Sequence, residues 1–191
     1  VMFDLVKDSA LGYEFSGTVE ESKSPNFHIG DRVFGTNTET GNCIGNSVVS
    51  QDCYLWTTPV EFTDTEAASF SLSYGTAYLA LCEFGKISSE DVVLIHSATG
   101  ALGLAAIEIC KTVGCKVIAT AGNEDKRAYL RQLPNVLYVS DSRSNETYQK
   151  DIISFTKGQG VDVILASTIG EAMSTNLTLL KPGGRYLDVG K

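Results

Sequence analysis

The chain has 191 residues, 43% of them hydrophobic and 20% charged, which is enough apolar material to bury a core and is the balance of a globular protein. Its formal net charge of −8 excludes a nucleic-acid surface, because neutralising phosphates takes clustered Lys and Arg, and no such cluster is present. No stretch approaches the roughly 20 consecutive apolar residues of a spanning helix, and the opening VMFDLVKDSALG lacks a basic region followed by an apolar run, so a cytoplasmic chain with no membrane contact is expected.

The first sixty or so residues carry short β-prone runs, GYEFSGTVEE, DRVFG and NSVVSQDCYLW, separated by Gly, Asn and Pro. That texture predicts a small β-rich domain over residues 1–62. From Asp64, in TEAASFSLSYGTAYLALCEFG, apolar residues recur at helical spacing up to Gly85, which predicts a helical connector opening a second domain over 63–191. Beyond it the pattern is strand, glycine turn, helix, repeated. Strands are expected at 92–96, 116–121, 135–139, 161–167 and 185–189, and helices at 100–113, after Asn123, at 147–156 and at 171–180.

These strands are near-continuous apolar runs, as a parallel sheet covered on both faces requires. Five of them make most of a doubly wound sheet, with any sixth lying past the last residue. The fold class is therefore α/β, a doubly wound parallel sheet preceded by part of a small β-rich domain. The chain opens on Val1 and stops at VGK directly after the strand-like RYLDV, so both ends read as cut. The five cysteines, Cys43, Cys53, Cys82, Cys110 and Cys115, are odd in number and lie in apolar segments, and are expected to be free, buried thiols.

The strongest chemical signal is VVLIHSATGALGLAAIEICK, a buried strand entering Ala98-Thr99-Gly100-Ala101-Leu102-Gly103 and then an apolar helix. Small residues there let the backbone approach a pyrophosphate, whose charge is met by the N–H groups and dipole of the helix N-terminus. At the end of the second strand, where an NAD site has Asp or Glu for the ribose hydroxyls, this chain has Thr120-Ala121-Gly122-Asn123. Lys126 and Arg127 follow one turn into the next helix, where they can neutralise a 2′-phosphate. NADPH is the cofactor this pattern predicts. Glu124 and Asp125 fit the first turn after an Asn123 N-cap without any ligand.

Gly12-Tyr13-Glu14-Phe15-Ser16-Gly17-Thr18-Val19 resembles the G-H-E-x-x-G-x-V segment of zinc alcohol dehydrogenases, with Tyr13 in place of the metal-ligand His. No thiolate lies near Ser71 to Tyr74 and no four-cysteine lobe is present, so no metal is expected. His28 and His96 read as a surface and a core histidine.

With Ser73-Tyr74-Gly75-Thr76-Ala77-Tyr78 and the A-x-x-G-x-x-G turn, the chain resembles the quinone-reductase branch of the medium-chain dehydrogenase/reductase superfamily. HSATGALGLAAIEICK, ATAGNEDKRAYLR, SDSRS, GQGVDVILAS and LLKPGGRYLDVGK resemble, more closely, the enoyl reductase domain of type I polyketide synthases and animal fatty acid synthases. The resemblance implies a Rossmann domain after part of a GroES-like domain, and reduction by NADPH of an enoyl thioester carried on an acyl carrier protein. Its partners would be the other domains of a synthase, with a homodimer open to it.

By motif position, Thr76 would lie near the nicotinamide, Ala98 and Gly100 to Gly103 at the pyrophosphate, and Gly122, Lys126, Arg127, Ser142 and Arg143 around the adenosine phosphate. Gly190 and Lys191 would close over the nicotinamide side. The family's turn reads G-G-V-G where this chain has Gly100-Ala101-Leu102-Gly103, and the Asn of its L-N-S segment is Ala166 here. Family proposals for the proton donor pair a lysine with an aspartate. Lys126 matches the lysine, Ser144 stands at the aspartate, and Lys126 cannot serve as both phosphate ligand and acid.

Two other readings stay open: a free-standing zinc-less quinone or alkenal reductase, and a non-catalytic scaffold domain of a megasynthase. The chain alone is expected not to turn over substrate, since it lacks the N-(F/Y)-x-D segment whose tail Val1-Met2 matches.

Overall fold

The computed structural model describes residues 11–37, 41–167 and 171–190. The chain divides into two compact units between Gly75 and Thr76, not at residue 62. The reason lies in what holds α1 (Asp64–Ala68) and the start of α2 (Ser71–Tyr78). Thr63 caps α1 through a reciprocal pair with Glu66, Arg32 pairs with Asp64 at 2.7 Å, the Ser16 hydroxyl donates to the Asp64 carbonyl, and the Leu72 N–H donates to Glu14. These bonds tie the first helix to the small sheet.

That sheet is antiparallel, in the order β1 (Glu14–Thr18), β2 (Arg32–Thr36), β3 (Leu55–Thr57). The run NSVVSQDCYLW contributes only its last residues to β3, after a 3₁₀ turn at Asp52–Tyr54. Phe34, Phe62, Phe70 and Tyr74 pack ring against ring beneath it.

The second unit is built around five parallel strands, in the spatial order β6-β5-β4-β7-β8. They are β4 (Val92–Ile95), β5 (Lys116–Ala121), β6 (Val136–Asp141), β7 (Val161–Ala166) and β8 (Leu180–Asp188). Val93, Leu94, Ile95, Val117, Ile118, Val163 and Ile164 are fully buried, so the sheet is covered on both faces as its apolar runs require. The helices α3 (Ala101–Val113), α4 (Glu124–Leu130), α5 (Asn145–Phe155) and α6 (Glu171–Leu177) alternate with the strands. The chain steps outward from β4 to β5 and β6, then returns past β4 to β7 and β8. That reversal places a switch point between β4 and β7, where ligands of such sheets bind. A π-helical turn at Leu79–Phe84 leads into this unit.

One element departs from its reading. The last helix ends at Leu177, and β8 begins at Leu180 and runs through Pro182-Gly183-Gly184. Its register on β7 jumps between Val161↔Leu180 and Val163↔Arg185. The P-G-G turn signal is therefore a bulge, which is where a strand tolerates Pro and a Gly183 at φ 78°.

The cysteines are all free, but Cys53 is exposed and Cys82 only half-buried, which corrects the reading of uniform burial. Cys110 and Cys115 are both buried and clasp the end of α3, where Gly114 at φ 93° turns the chain and the Cys115 N–H donates back to the Cys110 carbonyl. This is the Schellman closure with its apolar contact supplied by two thiols.

Among the described residues no helix is long and apolar enough to cross a membrane. Gly103 of α3 sits against the backbone of the turn below it: a Cβ there would lie 2.6 Å from the Ala98 Cα and 2.7 Å from its carbonyl. Gly103→Ala is expected to lose about 1–3 kcal/mol despite better helix propensity, because backbone must move. Urea unfolding measures this, and an unchanged midpoint would contradict the contact.

Candidate functional site

The C-terminal ends of β4, β7 and β8 and the start of α3 enclose a cleft at the switch point. It is lined by Ile95, His96, Ser97, Gly100, Ala101, Leu102, Gly103, Leu165, Ala166, Ser167 and Val189. Gly100 is the N-cap of α3 and brings no side-chain cap, and the first turn carries no acidic residue. By contrast α4 opens on Glu124 and Asp125 and α5 on Glu146, each behind a side-chain cap. The first N–H groups of α3, which a helix cannot satisfy internally, thus face the cleft uncapped and without a competing negative charge. An extended anion is what such an opening receives.

The turn itself is held from below. The Gly100 N–H donates to the Ser97 carbonyl, the Ala98 N–H to the Thr120 carbonyl, and the His96 N–H to the Leu165 carbonyl. Ser97 sits at φ 50°, a left-handed backbone for a residue with a Cβ. Under it the buried His96 ring meets Thr120 Oγ1 at 3.1 Å and Asn176 Oδ1 at 2.9 Å, and stands edge-on to Tyr148. Nothing in the sequence spacing marks these three polar residues as neighbours, since they come from β4's end, β5 and α6.

Of the residues expected at the pyrophosphate, Gly100, Ala101, Leu102 and Gly103 line the cleft, while Ala98 is fully buried beneath Gly103. The Ala101 methyl stands exposed at the helix start, and Ala166 is packed into the core cluster with Leu94 and Ile164.

Of the residues expected at the phosphate end, Gly122, Ser142 and Arg143 come together. The sheet register pairs Ala121 with Asp141, so the segments leaving them, Gly122-Asn123 and Ser142-Arg143, run side by side. The Arg143 guanidinium lies across Gly122, where a Cβ would come within 2.6 Å of its Nε, and the Ser142 N–H donates to the Ala121 carbonyl. Lys126 is exposed on α4.

Arg127 differs from its reading. Its side chain is 16% exposed and is engaged with Glu124 at 3.1 Å, Asp141 at 3.0 Å and the Ala121 carbonyl at 3.1 Å. It is a strut between α4 and the strand ends, not an open phosphate ligand. No ion pair engages Lys126 or Arg143 among the described residues.

Thr76 is exposed on α2 and is not among the cleft's lining residues. Gly190 donates its N–H to Asp188 and approaches Ser167. Lys191, Val1 and Met2 lie outside the described residues. Ser144 caps α5 by accepting the Thr147 N–H. Ser97, Ser167, Leu165 and Val189 join the cleft without having been expected there. The described residues hold no group of three or more His, Cys, Asp or Glu that could bind a metal ion.

Known proteins share this fold. The sequence profile of the family described as "Zinc-binding dehydrogenase" matches residues 101–191. The chain is 46% identical over 133 residues to a polypeptide of the phenolphthiocerol/phthiocerol polyketide synthase of Mycobacterium tuberculosis, covering 70% of this chain and 6% of that polypeptide. It thus spans a small part of the curated relative it matches. Among solved structures, the nucleotide-binding subdomain of the enoylreductase domain of PpsC from M. tuberculosis is 46% identical with a TM-score of 0.61, over 64% of this chain and 67% of that one. The CurK enoyl reductase is 30% identical with a TM-score of 0.87, over 95% of this chain and 54% of that one.

Burial pulls the His96 imidazole down from its ordinary 6.5 to about 4, partly offset by the Asn176 hydrogen bond. The folded protein therefore keeps this ring neutral where the unfolded chain takes up a proton. Its stabilising contribution is complete above about pH 6.5 and is lost as the pH falls toward 4. At about 1.4 kcal/mol per pH unit, stability should fall by roughly 2 kcal/mol between pH 7 and pH 5. Urea midpoints at the two pH values measure this; His96→Gln should lack the slope, and equal slopes in both proteins would refute the assignment.

Proposed function

This chain belongs to the enoyl reductase domains of polyketide synthases, in the medium-chain dehydrogenase/reductase superfamily, and from that premise we propose that it binds NADPH in the β4–β7 cleft for reduction of an enoyl thioester. The supporting observation is the uncapped, acid-free start of α3 opening into a cleft at the switch point. The residues present fit a dinucleotide: Gly100 presents backbone with no side chain in the way, and Gly103 lets α3 settle on the turn. Bound there, NADPH supplies the hydride.

The chain's own residues bind and orient. The N–H groups of Ala101, Leu102 and Gly103 would hold the pyrophosphate. Leu165, Ala166 and Val189 form an apolar wall that excludes water from the inner cleft. At the adenosine end Lys126 and Arg143 are the cations proposed for the 2′-phosphate, with Gly122 giving that end its space and Ser142 its polar edge. Arg127 braces the platform they stand on. Assigning Lys126 to the phosphate leaves it out of the proton-donor role. The enoyl group is proposed to arrive on an acyl carrier protein of the same synthase, in the cytoplasm, and Thr76 and Gly190 are proposed on the nicotinamide side.

Cofactor choice tests the phosphate end. The complete domain should bind NADPH much more tightly than NADH, and Lys126→Ala or Arg143→Ala should each cost at least about tenfold in NADPH affinity, as expected for a lost charged hydrogen bond. Arg127→Ala should lower stability and leave the preference in place. Dissociation constants for the two cofactors within a factor of about two would sink the proposal, and no binding of either would favour the scaffold reading.

Chemistry is tested by NADPH oxidation at 340 nm with a crotonyl thioester. With Tyr13 where zinc relatives carry a ligand His, the rate should survive a chelator. Loss of activity on chelation, restored by zinc, would contradict a metal-independent mechanism.

A further inference from the structure

Ser97 is the strained point of the dinucleotide turn. It is exposed on the cleft wall, carries a Cβ, and holds φ at 50°, a conformation that persists in a non-glycine residue only when its surroundings over-determine it. Its two chain neighbours are both fastened to one residue. Thr120, fully buried in β5, accepts the N–H of Ala98 on its carbonyl at 3.0 Å and meets the ring of His96 with its hydroxyl at 3.1 Å. His96 is fixed in turn on its far side by Asn176 at 2.9 Å and by the edge of Tyr148, and its own N–H is held by the Leu165 carbonyl.

We propose that Thr120 and His96 form a bracket that locks Ser97 in its left-handed conformation and so aims the start of α3 at the dinucleotide, which makes both positioning residues for cofactor binding. The inference rests on the proposed nicotinamide site and adds residues whose side chains act on it through the turn. The physical logic is direct. The Gly100 N–H bonds to the Ser97 carbonyl, so the orientation of residue 97 sets that of the N-cap, and the N-cap sets where the first-turn N–H groups point. A hydrogen-bonded neutral ring is the right device in this place. It satisfies both nitrogens in a buried site, where an unpaired polar group is costly, and it places no fixed charge beneath a cleft meant for a phosphate.

The test separates positioning from mere support. In Thr120→Val, which keeps the volume and removes the hydroxyl, the dissociation constant for NADPH by fluorescence titration should rise about fivefold, the worth of one neutral hydrogen bond, measured where the protein is fully folded. Thr120→Ser, which restores the hydroxyl, should return to within about twofold of the parent. Imidazole ¹⁵N shifts of His96, read without cofactor, should show one neutral tautomer in the parent and a tautomer mixture in Thr120→Val.

An unchanged dissociation constant in Thr120→Val beside lowered stability overturns the bracket, as does a tautomer mixture in the parent, which needs no variant to fold. A parent that binds neither NADPH nor NADH but shows the single tautomer overturns the cofactor reading and not the hydrogen-bond arrangement.

Discussion

The second unit depends on one close approach, the seat of Gly103 on Ala98. A parallel sheet offers its ligand site at the carboxyl ends of its strands, but only a helix that starts low on the turn can bring its free N–H groups to that edge. Any side chain at 103 would strike the Ala98 backbone. With glycine there, α3 descends, Gly100 becomes the N-cap, and the cleft takes its wall from the first turn of a helix 13 residues long. The apolar face of that helix, Ala105, Ala106, Ile107 and Cys110, is then buried against the sheet, so the geometry at the cleft and the packing of the core are set by the same contact.

Polar groups are sorted between the two ends of the central strands. At the amino ends they are charged and paired: Asp91 with Arg185 at 2.6 Å, and Asp162 with Lys181 at 2.8 Å while also accepting the Val92 N–H. Hydrogen bonds from Lys181 and Val92 hold the Asp162 carboxyl below its ordinary range against the opposing cost of burial. At the carboxyl ends of β4 and β5 the buried polar groups are His96, Thr120 and, from α6, Asn176, none of which carries charge at neutral pH. The charged pairs at the amino ends fasten β8 to the sheet, and no charged side chain lines the cleft among the described residues. For an overall acidic chain this is a workable way to hold an anion, because short-range N–H groups act where the long-range field is unfavourable.

Three departures from the family's sequence pattern acquire a physical meaning. Ala166, where an asparagine is usual, is 1% exposed and belongs to the apolar cluster around Leu94, Ile118 and Ile164, so the floor of the cleft is more apolar than the pattern suggests. Ala101 adds one methyl at the very start of α3, exposed rather than wedged into the turn, so it narrows the cleft's mouth without displacing the helix. Ser144, standing where an aspartate is usual, retains the capping role that either residue can perform.

Sequence alone determined the α/β class, the five strands and the tight glycine turn from β4 into α3, because those rest on local rules: apolar runs read as buried strands, glycine and small residues read as close backbone approach, and Asn123 followed by two acids reads as a helix start. It also pointed to Gly122, Ser142 and Arg143 as neighbours, and the structure brings these three together at the ends of adjacent parallel strands. Tertiary structure alone decided the rest. Arg127 and Lys126 are sequence neighbours with the same charge, yet one is turned inward to Glu124 and Asp141 and the other faces solvent, a difference set by which helix face meets the strand ends. The meeting of His96, Thr120 and Asn176, drawn from separate elements of the sheet and α6, has no local signature, because a hydrogen bond between distant elements is fixed by how they pack and not by any spacing along the chain.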